Sequence, residues 1–187
     1  MPFFKPHILL LISLLAITWS NFSCAETLRI AVASNFKAPL ESLVEAYKKQ
    51  SETSAKITIS SASSGVLYNQ ILRGAPFDVF LSADALRPEK LVAAGKGDRL
   101  SVYALGLLAF WYPDNRLANL SDALQELQKS GKIKGSKLAI ANPAIAPYGM
   151  ASQQTLNNLN LHDELSGHIA MGNNVAQVEQ FVSTGAA

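Results

Sequence analysis

Along most of the chain, segments with a two-residue apolar period alternate with segments of helical period. "TLRIAVA" (27–33) places Leu28, Ile30 and Val32 on one side of a strand. Leu40, Leu43, Val44 and Tyr47 then follow the i, i+3, i+4, i+7 spacing of one apolar helix face, with Pro39 in the first turn. "KITISSA" is a second strand, Leu67 and Ile71 mark a short helix, and "DVFLS" (78–82) reads as a buried third strand. Asp84 is placed to cap a helix that holds Pro88 in its first turn and stops at Gly95. After the apolar stretch "SVYALGLLAFWY" (101–112), broken by Gly106, Ser121 is placed to cap a helix through Leu124 and Leu127 that stops at Gly131. "KLAIA" (137–141), "YGMASQQTLNNL", "HIAMG" and a helix lined by Val175, Val178 and Val182 complete the series before Gly185. Strands alternating with helices mean right-handed crossovers and an α/β fold of mostly parallel sheets flanked by helices. The 101–112 stretch has the length and apolarity of a crossing between two lobes.

The first 25 residues read as an export signal. Lys5 precedes the apolar core "ILLLISLLAITW" (8–19), which is short for a membrane span, and Ser23 and Ala25 fit a small-residue cleavage site. Cleavage is expected after Ala25, leaving a periplasmic chain; a lipid on Cys24 fits the preceding Asn21 and Phe22 poorly. Removing that segment takes away the single cysteine and Lys5, so 15 Lys+Arg remain against 14 Asp+Glu. No thiol chemistry survives. Near-neutral charge without basic runs speaks against nucleic acid and acidic membrane surfaces as partners.

In parallel sheets, ligands gather outside the carboxyl ends of the strands, where helix N-termini point. Four strand-to-helix loops there share one character: "ASNF" (33–36), "SASSG" (61–65), "NPAIAPYG" (142–149) and "GNNV" (172–175). All are rich in Ser, Asn or small residues and hold no Lys, Arg or His. Singly, each loop is explained by ordinary helix capping or turn chemistry. Together, hydroxyls, amides and helix dipoles suit an anion held without a counter-ion. Gly65 is placed to let a ligand approach the backbone closely, and one serine of the pair Ser63 and Ser64 to cap the helix. An oxyanion that is fully deprotonated at neutral pH fits such a set of donors. Hydrogen phosphate wants an acceptor as well, and Asp84 is the nearest carboxylate to supply one.

"RIAVASNFKAPLESLVEAY", "SSGVLYNQILRGAPFDVFLSAD", "NPAIAPYGMAS" and "GNNVAQVEQFVSTG" resemble the periplasmic molybdate-binding proteins of ABC importers, in register from about residue 27 to 185. The resemblance implies a two-lobed type II periplasmic-binding-protein fold closing on tetrahedral molybdate or tungstate. On this chain it implicates Ser34 and Asn35 in the first loop and Ser64 in the second. Tyr148 follows in the third, through its amide and phenol, and Val175 in the fourth through its backbone N–H. It implies lobes at 26–105 and 106–187, no catalytic residue, no metal beyond the bound oxyanion and no cofactor. The implied partners are a membrane permease with its ATPase subunits, the binding protein itself being a monomer. Members of that family continue past "STG" with a strand that returns to the first lobe. Here the sequence ends "STGAA", so the first lobe is expected to be incomplete.

Three other readings stand beside this one. The same architecture suits sulfate or phosphate. An exported hydrolase would use Ser63 or Ser64 with His162, Asp163 and His168, although no G-x-S-x-G elbow surrounds the serines. His162 reads as part of a polar helix start and His168 as the opening of a strand, which makes both structural. A structural α/β domain without a ligand is the third.

Overall fold

The structure is a computed structural model that describes residues 27–51, 55–112, 121–122, 125 and 137–187. The expected export signal and most of the helix expected after Ser121 lie outside these residues. Strand β1 (Thr27–Ala33) is followed by a 3-10 turn at Ser34–Phe36 and helix α1 (Lys37–Ser51). Then come β2 (Lys56–Ala62), α2 (Ser64–Leu72), β3 (Val79–Leu81) and α3 (Leu86–Ala93). The second group comprises β4 (Leu138–Ala141), α4 (Pro147–Asn158), the short α5 (His162–Leu165) with a 3-10 turn at Ser166–His168, β5 (Ile169–Gly172) and α6 (Val175–Ser183).

The strands form two parallel sheets, ordered β2-β1-β3 and β4-β5. The sequence therefore folds as an α/β protein with crossover helices, as its alternation requires. β1 is the central strand, and from Ile30 to Ala33 both of its faces are buried. Ile30 and Val32 pack with Leu40 of α1 and draw in Phe36, Val44, Ile57, Ile59 and Leu81. A second cluster joins Leu156 of α4 and Leu165 of α5 to Leu138, Leu161 and Ile169.

Three expectations need correction. The apolar face of α1 is only half covered: Leu40 is buried and Val44 packs beside it, but Leu43 and Tyr47 are 58% and 53% exposed. β3 is not a buried strand. Among the described residues it pairs only with β1, at the edge of the sheet, and Val79 is exposed there. His168 closes a 3-10 turn, and β5 opens at Ile169.

Register is what positions the site. In the first sheet Ala33 pairs with Ala62 and Val32 with Leu81, so Ser34, Ser63 and Ala83 leave the sheet side by side. In the second sheet Ala141 pairs with Gly172, so Asn142 and Asn173 do the same. Residues 101–112 have no regular secondary structure and link the two groups. The Tyr103 ring meets Phe36 edge-on at 4.9 Å, while Gly106 lies against the Tyr148 hydroxyl.

Candidate functional site

The carboxyl ends of both sheets face one crevice. Its walls are Ala33, Ser34 and Asn35 from the first loop, Ser63 and Ser64 from the second, and Ala83 after β3. Ala146, Pro147 and Tyr148 come from the third loop, with Asn174 and Val175 from the fourth. All five residues singled out in the sequence, Ser34, Asn35, Ser64, Tyr148 and Val175, line this space. The crevice is small: its non-atom space is about 190 Å³ even with the open mouth counted in. A small ion suits it better than an organic substrate.

Among the described residues the lining holds no ionisable group except the Tyr148 phenol. Polarity comes from hydroxyls, carboxamides and the N-terminal ends of α2, α4 and α6, whose first amides lack intrahelical acceptors. Capping explains less of the loop composition than the sequence suggested. Among the described residues no side chain caps the 3-10 turn, α2 or α4; of the four loops only the last has a side-chain cap, Asn174, which accepts from the Gln177 N–H at 3.1 Å. The Gln177 side chain reciprocates by accepting from the Asn173 N–H at 2.7 Å.

The serine pair divides its work differently from the expectation. Ser63 holds the N-cap position of α2 with extended backbone, yet its side chain makes no cap bond. Ser64 is fully buried, and its hydroxyl oxygen accepts from the Ala83 N–H at 2.9 Å. Ser60 and Ser61 stay exposed on the edge strand β2. Gly65 is also recast. Its N–H donates to the Ile145 carbonyl at 2.8 Å, and a Cβ there would stand 2.7 Å from that oxygen. The missing side chain admits the third loop rather than a ligand, and this backbone bond ties the two sheet groups together.

Behind the crevice, the 82–87 turn is clamped. Ser82 donates to Asp84 Oδ1 at 3.0 Å, the same oxygen accepts from the Arg87 N–H at 3.1 Å, and the Arg87 guanidinium pairs with the other oxygen. Ala85, not Asp84, holds the N-cap position of α3; Asp84 stands one residue earlier and reaches the first-turn amide of Arg87, and its carboxylate is spent on these partners outside the crevice lining. The Tyr103 hydroxyl donates to the Ser82 carbonyl at 2.7 Å, so the linking segment holds the turn that supports Ser64. Ala83 carries no side-chain signal by which sequence reading could have found this role.

Burial, and secondarily the charge of a neighbouring Tyr148 phenolate, push the Tyr103 phenol above its ordinary value of 10.0. In the unfolded chain the phenol ionises first, so the Tyr103 contribution is complete below pH ~10 and is lost as pH rises through the folded value. Alkaline melts are expected to show this decline, and Tyr103→Phe to flatten it; an identical alkaline limb in both proteins would contradict the assignment.

His162 and Asp163 sit on α5, with His162 Nδ1 3.5 Å from Asp163 Oδ1, and His168 ends the turn that follows. None of the three lines the crevice with Ser63 and Ser64, so the triad considered from sequence is not assembled.

Comparison with known proteins agrees with this geometry. A profile of the family described as "Bacterial extracellular solute-binding protein" matches residues 28–187. The chain belongs to that family. Among solute-binding proteins, it is 39% identical over 169 residues to the molybdate-binding protein ModA of Azotobacter vinelandii, covering 86% of this chain and 62% of the relative. It is 36% identical over 157 residues to ModA of Rhodobacter capsulatus, covering 83% and 59%. The chain thus spans about three fifths of the length of these relatives. The solved periplasmic molybdate-binding protein of Azotobacter vinelandii superposes with a TM-score of 0.67 at 34% identity, covering 86% of this chain and 68% of that one.

Proposed function

We propose that this chain is the binding component of an ABC importer, exported to the periplasm, that captures molybdate or tungstate between two lobes. The observation that carries this reading is the convergence of four uncharged, donor-rich loops, two from each sheet, on one small crevice. Hydrogen bonds to a charged partner are worth about 1.5–3 kcal/mol each, and a handful from Ser34, Asn35, Ser64, Tyr148 and the Val175 amide, less the cost of association, is consistent with capture near the micromolar range. Helix N-termini supply the field that a formal positive charge would otherwise provide. An anion touching residues from both sheet groups favours the conformation in which both are in reach, which is capture by closure. Residues 26–105 and 106–187 are the two lobes in this reading, hinged at the linking segment. The closed complex is a monomer that hands its anion to a membrane permease, and no residue acts catalytically.

The relatives named for molybdate support the choice of anion, and the engagement of Asp84 with Arg87 and Ser82 disfavours a protonated oxyanion such as hydrogen phosphate. Ser34→Ala and Ser64→Ala are each expected to weaken molybdate binding by about 1–3 kcal/mol in titration calorimetry. Ser64→Ala is also expected to lower the melting temperature, because it orphans the Ala83 N–H. Unchanged affinity in both variants would contradict the site.

A further inference from the structure

We infer that Ser63, which the family resemblance does not single out, is a further anion-contacting residue of this crevice and donates its hydroxyl proton to the bound oxyanion. The inference rests on the oxyanion reading above and adds a donor that helps choose the anion.

A serine at an N-cap ordinarily turns its oxygen onto the amide two or three residues on, here Gly65 or Val66. In this chain the Gly65 N–H is taken by the Ile145 carbonyl from the opposite wall. The Ser63 side chain makes no cap bond, and its Oγ is the one buried side-chain polar atom without a hydrogen-bond partner among the described residues. Ser63 is only 4% exposed, so water does not freely replace the missing partner. Proteins rarely leave a buried hydroxyl unpaired, and the exceptions point to a function. Ser63 lines the crevice, and strand register brings it out of the sheet beside Ser34. Its neighbour Ser64 already accepts from the Ala83 N–H, which fixes that oxygen and leaves its proton for a ligand. The second loop therefore presents two hydroxyl donors of different character. Ser64 is oriented by the protein; Ser63 is oriented only by what occupies the crevice.

This difference separates ligand contact from structural support. Replacing an unpaired buried hydroxyl by a methyl group removes a desolvation penalty and breaks no protein bond. Ser63→Ala is thus expected to leave the ligand-free melting temperature unchanged or higher, while weakening sodium molybdate binding by about 10- to 100-fold. Ser63→Cys keeps the side chain's shape with a larger, weakly donating sulfur in place of the hydroxyl oxygen, so its affinity is expected to fall with that of alanine. The experiment is titration calorimetry with molybdate and ligand-free melts on the full chain and both variants. Wild-type affinity in either variant would overturn the proposal, as would parallel loss of affinity and ligand-free stability, which marks a structural serine. If the folded wild-type chain takes up neither molybdate nor tungstate, the oxyanion reading itself falls; uptake by wild type with undiminished binding by Ser63→Ala removes only this residue.

Discussion

Gly149→Ala is expected to lower the melting temperature by roughly 6–12 °C, equivalent to about 3 kcal/mol in a chain of this size. Gly149 lies in the first turn of α4, and a Cβ there would stand 2.1 Å from the Ala141 carbonyl oxygen and 2.6 Å from its carbon. Those are backbone atoms at the end of β4, so no side chain can swing aside. Either the helix lifts from the strand or the strand end bends. Both movements displace Ala146, Pro147 and Tyr148 from the crevice wall, so anion binding is expected to fall with stability. A melting temperature within 2 °C of wild type, on the low side of the ~2–4 °C expected per kcal/mol, would show that the contact relaxes cheaply.

Gly65→Ala acts between the two sheet groups. The added methyl would meet the Ile145 carbonyl oxygen at 2.7 Å and its Cα at 2.9 Å, and it would break the approach that lets the Gly65 N–H donate across the crevice. α2 itself accepts alanine readily, since alanine is the best helix former. The expected signature is a loss of anion affinity of about 100-fold or more, with a ligand-free melting temperature close to wild type. The contrast with Gly149→Ala distinguishes a contact between the two sheet groups from one made within a single sheet group. Equal losses of stability in the two variants would contradict that distinction.

The elements were legible because hydrophobic period survives in each of them: β1, β2, α2, β4, β5 and α6 fall where Leu28 to Val32, Ile57 to Ile59, Leu67 to Ile71 and the valines of 175–182 place them. The convergence of the site was legible for a related reason. Parallel strands put every strand-to-helix loop on one side, so donor-rich loops at those positions share a crevice. Period does not report what covers a face. The spacing of Leu43 and Tyr47 is as regular as that of Leu40 and Val44, yet only the latter pair meets the sheet. Nor does residue type report which partner a donor takes. Ser63 and Ser64 are chemically identical, and their roles separate only because an alanine amide and an isoleucine carbonyl, both backbone groups, arrive from distant loops. Gly65 was legible as a point of close approach; its visitor was not.

The central claim is most directly tested by melting the purified chain alone and with saturating molybdate, tungstate, sulfate or phosphate. A ligand at a thousand times its dissociation constant stabilises the folded state by about 4 kcal/mol, a shift of several degrees for a chain of this length. The expected result is a clear rise with molybdate and tungstate, little or none with phosphate, and loss of the rise in Gly65→Ala. A cooperative melt that no tetrahedral oxyanion moves, or that phosphate moves as far as molybdate, would contradict it.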